Sequence, residues 1–165
     1  MTISIRPVKN EQAESVIQLI LNIQQNEFNV PITLEGQPDL LQIESFYYGS
    51  GGGFWGAFVE EQLVGTIELI KFDNHAGAIR KMFVKKEFRG KETGVAQQLL
   101  DCLLNYAAGL GLNHLYLGTI TKLAAALRFY EKNNFVQIPK SALPADFPLM
   151  LPDNVFCHLA LNPEK

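Results

Sequence analysis

Residues 3–8 alternate apolar and polar side chains, the period of a strand with one buried face, and residues 11–25 then set Ala13, Val16, Ile17, Ile20 and Leu21 at helical spacing. Between 26 and 53 the pattern breaks at Pro31, Gly36 and Pro38, where Asp39 stands as the cap of a short helix through Phe46. The glycine run at 49–53 has no Gly-Lys-Ser/Thr after it and leads into a strand, so it reads as a loop and not as a phosphate cradle. Apolar, β-prone runs at 54–59, 63–71 and 76–84, joined by Glu60-Glu61-Gln62 and Asp73-Asn74-His75, predict an antiparallel meander. Val95, Leu99, Leu103, Ala107 and Leu110 then mark a long amphipathic helix, closed by Gly109 and Gly111. A short strand at 114–119 precedes a helix over 123–133, with Thr121 expected as its cap and Asn134 as the residue that turns the chain out. A strand at 135–138, a proline-rich loop at 139–152 and a strand at 154–161 that closes the sheet complete the chain. This order predicts an α/β (α+β) fold: a mixed, mostly antiparallel sheet of about seven strands flanked by helices.

With 165 residues and 47% hydrophobic content, the expectation is one domain over 1–165 with a sizeable core. The opening Met1-Thr2-Ile3-Ser4-Ile5-Arg6 does not have the form of a secretory leader, and no run approaches roughly 18 apolar residues, which predicts a cytoplasmic protein with no membrane partner. Cys102 and Cys157 lack metal or redox spacing and read as buried thiols. A net charge of −3 argues against nucleic acid as a partner. Against that acidic background, Arg80, Lys81, Lys85, Lys86, Arg89 and Lys91 form a basic island interrupted only by Glu87, a candidate site for something anionic.

The chemistry concentrates in that island, where a strand over 79–84 runs into the loop Arg89-Gly90-Lys91-Glu92-Thr93-Gly94 and a helix begins at Val95. A helix start presents unpaired N–H groups and the positive end of the macrodipole, and glycines let an anion approach the backbone. Arg89 and Lys91 add charge-assisted hydrogen bonds, so the segment suits a pyrophosphate. The Gly-x-Gly-x-x-Gly spacing of a dinucleotide site is missing. The loop resembles the signature of the GNAT superfamily of N-acetyltransferases: Arg or Gln, two residues, Gly, one residue, then Gly or Ala. Arg89 and Gly94 match its ends, with Glu92 where Gly is usual. Lys81-Met82-Phe83-Val84 resembles the strand end before that loop. Leu127-Arg128-Phe129-Tyr130-Glu131-Lys132-Asn133-Asn134-Phe135 resembles the family's later helix, and the order of elements matches over nearly the whole chain.

The resemblance implies an acetyl-CoA-dependent N-acetyltransferase that acts, without metal, on the primary amine of a small molecule by direct attack. Strands four and five, 76–84 and 114–119, are expected to splay, with Met82, Phe83 and Val84 along the pantetheine arm. Arg89, Gly90, Lys91, Glu92, Thr93, Gly94 and Val95 are expected around the pyrophosphate, and Tyr130 beside the departing sulfur as a proton donor. Where many members carry a glutamate base this chain has Ala78, which leaves Glu68, His75, His158 or a chain of waters for that task, or an amine that binds already neutral. Trp55 reads as core or cleft wall. The same residues also fit a sensor that holds acetyl-CoA without turnover, or an enzyme that acetylates proteins. The last strand, with an exposed edge, would allow a homodimer.

Overall fold

A computed structural model describes residues 2–90, 92–150 and 153–161. The chain runs β1 (Ser4–Pro7), α1 (Ala13–Leu21), β2 (Gly53–Val59), β3 (Gln62–Lys71), β4 (Ala76–Val84), α2 (Val95–Gly109), β5 (His114–Thr119), α3 (Ala124–Lys132), β6 (Val136–Ile138) and β7 (Val155–Ala160). The strands form one sheet in the order β1-β2-β3-β4-β5-β7-β6, antiparallel throughout except for the parallel pair β4–β5. This is the mixed, mostly antiparallel sheet that the pattern predicts. The last strand does not close it, however: β7 inserts between β5 and β6, so the edges belong to β1 and β6 and the edge argument for a homodimer loses its basis.

Each face of the sheet carries its own apolar layer. On one face, α1 and the segment after it cover β2–β4 through Val16, Ile20, Leu40, Ile43, Tyr47, Phe54 and Ala78. On the other, α2 lays Leu99, Leu100, Leu103 and Ala107 over Ile67, Leu69, Leu115 and Leu117, with Tyr130 and Phe135 beside them. Each such leucine, fully buried, contributes about 1.5–3 kcal/mol relative to an exposed one, so these two layers hold the strands in register. Trp55 belongs to the second layer, edge-on to Tyr106.

Four local readings change. The buried stripe of α1 is Val16, Leu19 and Ile20, with Ile17 and Leu21 half-buried. Beyond Leu21 it widens into a π-helical turn, Asn22–Glu27, closed by Phe28 N–H on Ile23 C=O at 3.1 Å. Asp39 caps nothing: it lies inside the 3₁₀ turn Pro38–Leu41, with its carboxylate buried. Thr121 opens a separate 3₁₀ turn, so that α3 begins at Ala124 with Leu123 as its cap residue. Asn134, at φ 73°, adopts the left-handed conformation expected of it.

Candidate active site

The site forms where two neighbouring strands part. β4 and β5 pair only from Ala76–His114 to Ile79–Leu117. Beyond Ile79, β4 stays with β3 while Gly118 and Thr119 stay with β7, which opens the expected splay between strands four and five. The parting begins at a bulge. Thr66 faces Phe83 and Glu68 faces Arg80, so Lys81 and Met82 oppose the single residue Ile67, and Lys81 takes φ 51°. A left-handed, non-glycine residue costs about 1–2 kcal/mol, and the bulge is held by its side chain. Lys81 Nζ donates to Gln37 Oε1 and lies 3.9 Å from Asp39 Oδ2, while its carbonyl accepts from Thr66 Oγ1 at 2.7 Å. Burial holds the Lys81 ammonium below its ordinary pKa, and these contacts with Gln37 and Asp39 partly offset the desolvation of its charge.

The bulge leaves the outer edge of β4 open. Lys85 N–H donates to Val64 C=O across the Gly65–Val84 pair, so the polar groups of Val84 point away from β3 and toward the gap, and those of Met82 follow by two-residue alternation. Phe83 has the opposite role, its backbone turned to Thr66 and its side chain in the cavity wall. A cavity of about 120 Å³ fills the gap, bounded by Met82 and Phe83 of β4, Gly118 and Thr119 of β5, Tyr130 of α3, and Asp153. Tyr130 is 6% exposed and its hydroxyl lies 3.4 Å from Met82 Sδ, which sets a phenol against the open strand edge. Burial pushes that phenol above its ordinary range, so at neutral pH it is a donor.

At the end of β4 the loop turns into α2 at Gly94, a left-handed residue (φ 72°) that has no side chain with which to cap the first N–H groups of the helix. Thr93 Oγ1 braces the loop by donating to Phe88 C=O at 2.6 Å. Glu92 Oε2 lies 3.4 Å from where a β-carbon on Gly90 would sit. Val95 is buried as the first residue of α2, and Lys91 lies outside the described residues. Arg89 does not reach for an anion. Its Nε donates to Val84 C=O at 2.8 Å and both terminal nitrogens grip Glu27, the second at 2.8 Å, which ties the loop to the π-helical turn. That fork holds the Glu27 carboxyl below its ordinary range. Two cations of the basic island are thus paired from within, Lys81 with Asp39 and Arg89 with Glu27.

None of the residues named as bases in place of Ala78 lines the cavity. Glu68 is fully buried beneath the bulge, with neither oxygen hydrogen-bonded, and its carboxyl is pushed up to about 8 by burial, against the pull of Lys81. Tyr47, beside it, donates instead to Asp39 Oδ2 at 2.5 Å. His75 is exposed in the turn before β4, at the far end of the strand, and His158 pairs with His114 at 2.9 Å on β7. What pattern reading misses is Asp153, a carboxyl in the cavity wall, and the place of Arg80, named only as part of the basic island, in that same wall. Arg80 carries a faint signal, a cation inside an apolar strand. Asp153 carries none, as it follows a proline-rich loop with no period.

The sequence profile described as the Acetyltransferase (GNAT) family matches residues 17–135, a span that contains β4, the loop, α2 and Tyr130. The chain belongs to the GNAT acetyltransferase family. A crystal structure of a GNAT-family acetyltransferase from Staphylococcus aureus is 40% identical, covers 97% of this chain and 99% of that one, and superposes at a TM-score of 0.94. Streptothricin acetyltransferase of Escherichia coli is 35% identical over 81 residues, which is 49% of this GNAT chain and 45% of that protein, so the match spans about half the length of that relative. PaiA N-acetyltransferase from Thermoplasma acidophilum, solved in complex with coenzyme A, shares the fold at 19% identity and a TM-score of 0.74, over 97% of this chain and 99% of that one.

Proposed function

We propose that this GNAT chain transfers the acetyl group of acetyl-CoA to the primary amine of a small molecule. The observation that carries the reading is the convergence, at one gap in the sheet, of an open β4 edge, an uncapped helix start and a buried phenol. The outward N–H and C=O groups of Met82 and the N–H of Val84, whose C=O already accepts from Arg89 Nε, suit the amides of a pantetheine arm laid along the strand, a ligand in the position of an added strand. The backbone from Arg89 to Val95, ending at the α2 N-terminus, suits the pyrophosphate, and Arg89 serves there through its backbone, its side chain being held by Glu27.

The donor supplies an activated acetyl thioester, and the chain's own residues do the rest. Strand-edge N–H groups polarise the carbonyl, the walls of the gap orient the amine toward it, and Tyr130 gives a proton to the sulfur as the C–S bond breaks. Similarity to streptothricin acetyltransferase over about half its length supports a small-molecule acceptor. The test is free-thiol release from acetyl-CoA across a panel of amino acids, polyamines and amino sugars, with the N-acetyl product identified by mass spectrometry. Release with at least one amine is expected. Binding of acetyl-CoA without release across the panel would replace this reading with a sensor, and transfer confined to peptide substrates would replace the acceptor class.

A further inference from the structure

Among the described residues, Asp153 is the one carboxylate in the wall of the cavity that holds Tyr130. It is pinned to the splayed end of β5: its N–H donates to Met150 C=O at 3.1 Å, the next N–H, of Asn154, donates to Thr119 C=O at 2.9 Å, and Asn154 Oδ1 accepts from Thr121 N–H at 3.1 Å. The side chain leans over Gly118 so closely that a β-carbon built there would sit 2.4 Å from Asp153 Oδ2, which places the carboxylate within the gap between β4 and β5. Among the described residues, no cation lies within ion-pair distance of it. The Arg80 guanidinium in the same wall is turned to Met150, with Nη2 2.9 Å from the sulfur.

We propose that Asp153 is the catalytic base of the transfer, receiving the acceptor as an ammonium ion and taking its proton before attack. The inference rests on the acetyltransferase reading above and assigns the role that Ala78 leaves open. Proton and electron flow then balance. Asp153 takes one proton from the ammonium and passes it to solvent. The freed lone pair forms the N–C bond, and the C–S bond breaks with its electrons on sulfur, which receives the Tyr130 proton. The second nitrogen proton leaves through solvent as Tyr130 is reprotonated. The groups that face Asp153 set its basicity: burial raises its carboxyl to about 6 while Arg80 and Lys81 of β4 pull it back, and Tyr130 of α3 faces it as a neutral phenol. At neutral pH it is therefore ionised, and a stronger proton acceptor than an ordinary carboxylate.

The experiment compares the full chain with Asp153→Asn, using acetyl-CoA and two acceptor amines whose own pKa values differ by a unit or more. In the wild type, kcat/KM rises through an acid limb near pH 6 that stays in place when the acceptor is changed. The variant loses that limb and about 100-fold or more in kcat/KM, while acetyl-CoA raises its unfolding midpoint as much as it does the wild type's. An acid limb that moves with the acceptor's pKa overturns the assignment, and so does a variant within about threefold of wild type, or one that loses acetyl-CoA stabilisation along with activity. A wild type that releases no thiol with any amine refutes the acetyltransferase reading itself, a result distinct from all of these.

Discussion

Tyr130 and Glu68 entered together as candidate catalytic groups and the fold separates them. Tyr130 reaches the cavity because its helix and β4 share the edge of the gap, with its hydroxyl 3.4 Å from Met82 Sδ. Removing that hydroxyl in Tyr130→Phe is expected to lower kcat about 100-fold with little change in the acetyl-CoA dissociation constant, as read by steady-state kinetics and calorimetry. An unchanged kcat would assign sulfur protonation elsewhere. Glu68 instead acts on stability. Its folded carboxyl titrates near 8 against an ordinary value of 4.5, so the folded state keeps a proton that the unfolded state has lost, and stability from this group falls as pH rises through that window. Glu68→Gln should therefore gain on the wild type as pH is raised from 5 to 9, by about 3 °C in Tm for each kcal/mol removed. A Tm difference that does not change with pH would show that Glu68 is ionised throughout.

At the scale of elements, regular segments were legible and irregular ones were not. β2, β3, β4, α2 and β5 fall where the periodicity places them because each buries a full face, and burial is what a periodic pattern records. The segment 26–48 supplies Gln37, Asp39 and Tyr47 to the packing beneath the bulge, yet it folds through 3₁₀ and π turns whose side chains follow neither period. The bulge was equally hidden, since Lys81 sits in a run that reads as an ordinary strand. A second irregularity is the β2–β3 hairpin, where Glu60 and Glu61 take φ 50° and 65°, a turn that favours Asn-Gly. Glu60→Asn with Glu61→Gly is predicted to raise unfolding free energy by about 1–2 kcal/mol by urea titration, the left-handed cost being larger than the exposed Arg6–Glu61 pair it removes. No gain in midpoint would mean that the turn is relaxed with glutamate in place.

For the molecule as a whole, one sheet with two helical layers holds every part of the site at one end of β4. Motif and element order carry the donor half of that site, because a backbone that binds an extended, anionic ligand leaves its mark as glycine, a helix start and a strand end. Tyr130 was legible too, through the motif of its helix, whereas Arg80 of β4 and Asp153 meet it in one cavity wall only because β4 splays from β5. Thermal unfolding with and without acetyl-CoA tests the central claim most directly, because a ligand that binds the native state alone must raise the midpoint. At ligand about 100-fold above its dissociation constant the gain is about 2.7 kcal/mol, which corresponds to a Tm rise of roughly 5–10 °C for a chain of this size. No rise at millimolar acetyl-CoA would contradict the account.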